Sequence, residues 1–87
     1  MAYRTVFSRR AQKAFLELPV EDARRIREAL EELEREPRGL HPIKLEHAPV
    51  AEYRRRVGNF RILFDIVDQK EILQILDIRR RSEKTYK

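Results

Sequence analysis

Arg54, Arg56, Arg61, Arg79, Arg81 and Tyr86 are the side chains whose types and spacing fit chemistry on a phosphate. A guanidinium presents a planar fork that binds a phosphate through two parallel N–H bonds. Arginine cannot serve as a general base, because its pKa exceeds about 12. It can stabilise negative charge as that charge develops on a phosphorus centre, usually the largest catalytic contribution. Tyr86 offers a face on which a base can stack. It also carries a hydroxyl whose ordinary pKa near 10 is lowered by neighbouring cations. Plain packing of Tyr86 against the domain is the competing reading. Together these residues point to single-stranded RNA or DNA.

The stretch "EYRRRVGNFRILFDI", residues 52–66, must bring the first three arginines together. Gly58-Asn59 suits a two-residue hairpin turn. Such a turn sets Val57 opposite Phe60, Arg56 opposite Arg61 and Arg54 opposite Leu63, since side chains alternate with period two. Val57, Phe60, Ile62 and Phe64 then share an apolar face, and Arg54, Arg56, Arg61 and Leu63 share the other. Arg facing Arg about 5 Å apart is destabilising, by about 1 kcal/mol in water. An edge strand decorated with charge against aggregation accounts for one such residue, not for an opposed pair. An anion site accounts for both. Arg55 falls on the apolar face and is expected to reach solvent past the sheet edge. A third strand pairing Val67 with Glu71 would place Asp77 near Arg61 and extend the cationic face through Arg79.

Further elements follow from periodicity. Residues 2–7 alternate like a short strand. Ser8 caps a helix with the apolar stripe Ala11, Ala14, Phe15 and Leu18, and Pro19 ends it. Ala23, Ile26, Leu30 and Leu33 then mark an amphipathic helix, which Pro37 and Gly39 close. Its charged face, with pairs such as Arg24–Glu28, reads as solvated. Residues 38–51 are a polar, proline-punctuated loop. Strands follow over 52–57, 60–67 and 71–79. The expected fold is α+β: β-α-α-β-β-β, a small antiparallel sheet with two helices packed on one face, forming a single domain over 1–87.

Composition narrows the function class. The chain has 87 residues and no cysteine, which excludes disulfides and thiolate metal sites. His41 and His47 alone make a weak metal site, and no metal or cofactor is expected. No apolar run reaches the roughly 18 residues of a membrane span, and no signal-peptide core is seen, so the expected location is the cytoplasm, away from membranes. Charged residues make up 40% of the chain, against about 25% in ordinary domains. Residues 52–61 contribute +3 and residues 79–87 contribute +4 to a net +5, leaving −2 for everything else. Localised basicity of this kind favours a specific anionic partner.

The segments "AYRTVFSRRAQKAFLELP", "EREPRG", "KLEH" and "EYRRRVGNFRILFDIVDQKEILQILDIRRRSEKTY" occur in an order and spacing that resembles the RelE/ParE toxin superfamily of type II toxin–antitoxin systems. The resemblance runs over essentially the whole chain and leans to the RelE-like branch. It implies a ribosome-dependent endoribonuclease, an mRNA interferase that cleaves mRNA in the ribosomal decoding site and so inhibits translation. Its partners would be the ribosome, the mRNA and a cognate antitoxin protein. It further implies basic site residues at Arg54 and Arg56, arginines at Arg61 and at Arg79 or Arg81, and a tyrosine at Tyr86. Three features depart from that pattern: the spacing from the run Arg79, Arg80 and Arg81 to Tyr86 is not that of every relative, family lysines stand as arginine here, and the long C-terminal helix is missing. The ParE branch shares the fold but poisons DNA gyrase, and a non-catalytic nucleic-acid or antitoxin-binding module is a further alternative.

Overall fold

The structure, a computed structural model, describes residues 3–39, 43–44 and 53–80. Its elements are β1 (Arg4–Phe7), α1 (Arg9–Leu16), α2 (Val20–Arg35), β2 (Ile43–Lys44), β3 (Tyr53–Val57), β4 (Phe60–Val67) and β5 (Ile72–Arg80). The α+β class and the order of the main elements agree with the sequence. Two details differ. The sheet has the order β1-β5-β4-β3-β2, with a two-residue strand in what reads as loop. It is also mixed, because β1 runs parallel to β5 while the other pairs are antiparallel. The long connection from β1 to β5, which includes both helices, permits a parallel pair that a short turn could not join.

Ser8 starts α1 as the sequence predicts. Its hydroxyl accepts the Ala11 N–H at 3.0 Å and donates to the Leu76 carbonyl at 2.9 Å. The Ser8 N–H also donates to the Ile75 carbonyl at 2.8 Å. One residue therefore caps a helix and anchors it to β5. Glu21 and Asp22 occupy the first turn of α2, where carboxylates suit the helix dipole. On its exposed face Arg24 pairs with Glu21 and Glu28. Such surface pairs contribute only tenths of a kcal/mol.

The core lies between the helices and one sheet face. Ala11, Ile26, Ala29, Leu30 and Leu33 meet Phe60, Ile62, Phe64, Leu73, Ile75 and Ile78. Val57 and Tyr53 flank this cluster, and Phe7 meets Phe15 edge-on at 5.6 Å. The hairpin register is the expected one, with Val57 opposite Phe60 and Arg56 opposite Arg61. Gly58 has φ of 58°, a conformation that glycine adopts without penalty at the first position of a tight hairpin turn.

β5 departs from the expected register. Val67 pairs with Ile72 rather than Glu71, and a bulge separates Phe64↔Ile75 from Leu63↔Asp77, with Leu76 as the extra residue. An unbulged Val67–Glu71 register would put Leu73 and Ile75 on the charged face. Both are fully buried, so the hydrophobic alternation overrules it.

Away from the core, Arg38 makes a bidentate pair with Asp68 at 3.1 and 3.0 Å, and Tyr3 donates to Asp68 at 2.7 Å. Arg38 also donates to the Tyr53 hydroxyl at 3.3 Å and lies over its ring. The cluster ties the β4–β5 turn to the end of α2, to the start of β1 and to β3. The Arg38 guanidinium, and then the Tyr3 hydroxyl, hold the Asp68 carboxyl below the usual carboxylate range. The same contact pushes the Tyr3 phenol up. A folded pKa below the unfolded one adds stability above the unfolded value, which vanishes as pH falls through the folded value. Thermal melts of Asp68→Asn should therefore show a lower Tm than wild type at neutral pH. The two should converge as pH drops below about 4; a constant difference down to low pH would assign the clamp no electrostatic role.

Candidate nucleic-acid interface

The sheet face away from the core carries the cationic residues, and the bulge decides which ones. Before it, Leu73 and Ile75 point into the core; after it, Ile78 does and the exposed Arg80 shares its side, so Asp77 and Arg79 turn to the opposite face. Arg61 is consequently flanked by Arg56 on β3 and by Arg79 on β5. Asp77 lies near Arg61, as expected, one row on: it stands opposite Leu63, whose other neighbour is Arg54. The outcome is three arginines in one row across three adjacent strands. That is more like-charge crowding than the hairpin alone implies.

Within this face Arg54 and Arg61 are half-buried and Arg56 is exposed. The Arg61 Nε is buried and has no hydrogen-bond partner among the described residues. Leaving such a donor unmet costs on the order of 1–3 kcal/mol, which a ligand or ordered solvent could recover. Among the described residues none of Arg54, Arg56 and Arg61 has an ion pair. Arg79 does: its Nε donates to Asp77 Oδ2 at 2.8 Å. Asp77 is only 6% exposed, takes the Ile78 N–H on Oδ1 at 2.9 Å, and lies 3.9 Å from Arg10 of α1.

Four of the six residues expected at the site, Arg54, Arg56, Arg61 and Arg79, thus share one face. Arg81 and Tyr86 lie outside the described residues, as do His41 and His47. Arg80 stands apart, stacked over the Phe60 ring at 5.8 Å on the core side. The expectation for Arg55 is overturned. Its side chain is only 12% exposed, and it donates to Glu32 of α2 at 2.8 Å instead of reaching past the sheet edge. An ion pair to the helix that covers this face lets a charged residue occupy a core-side position. Sequence reasoning placed Asp77 near Arg61 but missed Arg10 as a neighbour of the arginine row. The 73-75-78 spacing of buried apolar β5 residues was the available signal for the row Asp77 occupies; nothing local marked Arg10.

The chain matches the family described as the ParE toxin of the type II toxin–antitoxin system parDE over residues 5–85. Among solved structures, it is similar to a chain of the archaeal RelE–RelB complex from Pyrococcus horikoshii OT3. Identity is 30% and the TM-score 0.78, covering 97% of this chain and 100% of that one. A chain of the RelBE2 toxin–antitoxin complex from Mycobacterium tuberculosis is 26% identical, with TM-score 0.81 over 93% of this chain and 100% of that one. The isolated E. coli RelE toxin, at 21% identity, has the same fold: TM-score 0.82 over 95% of this chain and 88% of that one. No curated protein matches the chain.

The geometry predicts that the arginine row destabilises the fold. Arg61→Leu removes the central charge and the unmet Nε, so it should raise stability by about 1 kcal/mol, or roughly 4–8 °C in Tm for a domain of this size. The gain should shrink in high salt as screening weakens the repulsion in wild type. A lower Tm for Arg61→Leu in calorimetry would mean that the row is held together for structural reasons.

Proposed function

This chain belongs to the ParE toxin family of type II toxin–antitoxin systems, within the RelE/ParE superfamily, and from that premise we propose that it is a ribosome-dependent endoribonuclease. The substrate is mRNA in the ribosomal decoding site. The observation that carries this reading is the row Arg56–Arg61–Arg79, three guanidinium groups on one face, with a buried Nε at its centre that meets no acceptor among the described residues.

In the proposed reaction the RNA 2′-OH attacks the adjacent phosphorus in line, and the bond to the 5′-oxygen of the next nucleotide breaks. The products are a 2′,3′-cyclic phosphate and a 5′-hydroxyl. The crowded dianionic phosphorane between them is the species that Arg56, Arg61 and Arg79 stabilise, with Arg54 and Arg81 adding to the same field. Such charge stabilisation leaves two proton transfers to supply. Tyr86 combines base stacking with part of that acid–base work. A site of arginines with one tyrosine has little power to align RNA by itself, and the ribosome supplies the in-line geometry.

A cognate antitoxin is the proposed protein partner. Two of the similar structures are toxin–antitoxin complexes by description. An acidic or amphipathic segment would suit the cationic face and the exposed Leu16 and Val20 side chains. A second reading, poisoning of DNA gyrase, is favoured by the ParE description of the matching family.

Primer extension on a translated message tests the proposal. Purified toxin should cut mRNA within translating ribosomes and leave free RNA almost untouched. Equal cutting with and without ribosomes would sink the ribosome-dependent reading. Trapped gyrase–DNA cleavage complexes would replace it with the gyrase reading.

Tyr86 can be tested on the same substrate under single-turnover conditions at saturating enzyme. Tyr86→Phe keeps the ring and loses the hydroxyl, and should fall between wild type and Tyr86→Ala. The Ala variant should in addition bind the substrate about 1–3 kcal/mol more weakly, the share of stacking, read as a higher toxin concentration for half-maximal cleavage. Full activity in both variants would remove Tyr86 from the site.

A further inference from the structure

We propose that Asp77 is a positioning residue that sets Arg79 beside Arg61 and draws Arg10 to the end of the arginine row. There Arg10 binds the RNA phosphate next to the scissile one. The inference rests on the ribonuclease reading above.

Asp77 is a buried carboxylate in the middle of a cationic face, and each of its oxygens is committed. Oδ1 takes the N–H of Ile78 at 2.9 Å, which fixes the carboxylate against its own backbone. Oδ2 takes the Arg79 Nε at 2.8 Å. Of the Arg79 donors only Nε is engaged by Asp77, and both terminal nitrogens are left for a phosphate. A free arginine beside Arg61 would swing away from the like charge. Tethering by Nε removes that freedom while keeping the binding end of the fork available. Asp77 also adds a negative charge that offsets the mutual repulsion of the row.

The same oxygen lies 3.9 Å from Arg10 NH1, at the outer limit of an ion pair. Arg10 is in the first turn of α1, next to the segment that Ser8 fastens to the carbonyls of Ile75 and Leu76. The bulge therefore delivers three things at one place: Arg79 turned onto the site face, the carboxylate that holds it, and the helix start that carries Arg10. The cationic row continues off the sheet onto α1, in the direction that a single strand lying across β3, β4 and β5 would follow.

Asp77→Asn separates positioning from charge, because the two roles predict opposite signs. Removing a negative charge raises the net charge by one, which should strengthen RNA attraction and speed cleavage if Asp77 is only a charge. If it positions Arg79, the saturated single-turnover rate on ribosome-bound mRNA should drop about 10- to 100-fold, the scale of a misplaced catalytic group. In an Arg79→Ala background the same substitution should cost nothing further, since the group it acts through is gone. Arg79→Lys keeps the charge, lacks Nε and should lose as much as Asp77→Asn, which covers the case in which Asp77→Asn fails to fold. Arg10→Ala should raise the toxin concentration for half-maximal cleavage about tenfold. Undiminished cleavage by Asp77→Asn, or losses that add in the double variant, would overturn the positioning role. An unchanged half-maximal concentration for Arg10→Ala would remove Arg10 from the RNA track. A folded wild type that cuts no mRNA on ribosomes would sink the ribonuclease reading itself, and Asp77's role with it.

Discussion

The bulge at Leu76 is the constraint on which the cationic face depends. A strand without it can put Leu73 and Ile75 in the core, or Asp77 and Arg79 on the open face, but not both, because strict alternation assigns all four to one side. One extra residue reverses the alternation midway along β5. The N-terminal half then serves the core and the C-terminal half presents Arg79 beside Arg61, with Ile78 still buried. The two carbonyls at the bulge are not wasted, since Ser8 takes both. The start of α1, the face reversal of β5 and the third arginine of the row are consequences of a single irregularity in pairing. Bulges that re-aim a side chain next to a site are a recurrent device in sheets.

The two sides of the sheet pull stability in opposite directions. On one side Ile62, Phe64, Leu73 and Ile75 are fully buried with Ile26 and Leu33, and each contributes on the order of 1.5–3 kcal/mol by leaving water. On the other, Arg56, Arg61 and Arg79 stand in adjacent register, with one buried donor unsatisfied among the described residues. Charge on the core side is handled differently. Arg55 is paired with Glu32 and Arg80 lies over Phe60. On the core side Arg55 has a carboxylate partner, whereas on the opposite face Arg54, Arg56 and Arg61 have no ion pair among the described residues. That contrast, not the number of arginines, separates a site from a merely basic surface.

Much of this was legible in the sequence because it rests on local rules. The Gly58-Asn59 turn set the β3–β4 register, the Ser8 cap placed α1, and the 3-4-3 apolar spacing placed α2. Non-local choices were less readable. Whether β1 joins parallel or antiparallel is not specified by residues 4–7. Arg55 could be assigned to the apolar face, but its partner Glu32 lies on an element whose rotation no strand pattern specifies. The β5 register failed for a readable reason: the buried residues step by two and then by three, and only the break in period reveals the bulge.

A site whose described members are almost all arginine has a chemical consequence. Guanidinium groups remain charged across the physiological range, so they stabilise an anionic transition state without being able to gain or lose a proton. Their contribution therefore grows with how well the phosphate is aligned and how little water surrounds it. An open sheet face provides neither alignment nor dehydration. On the ribonuclease reading, a partner that encloses the RNA supplies both, and a free RNA strand on the same arginines experiences attraction with little catalysis. On that same reading, dependence on the ribosome would be a property of the side-chain chemistry itself, because arginines alone attract RNA without aligning it.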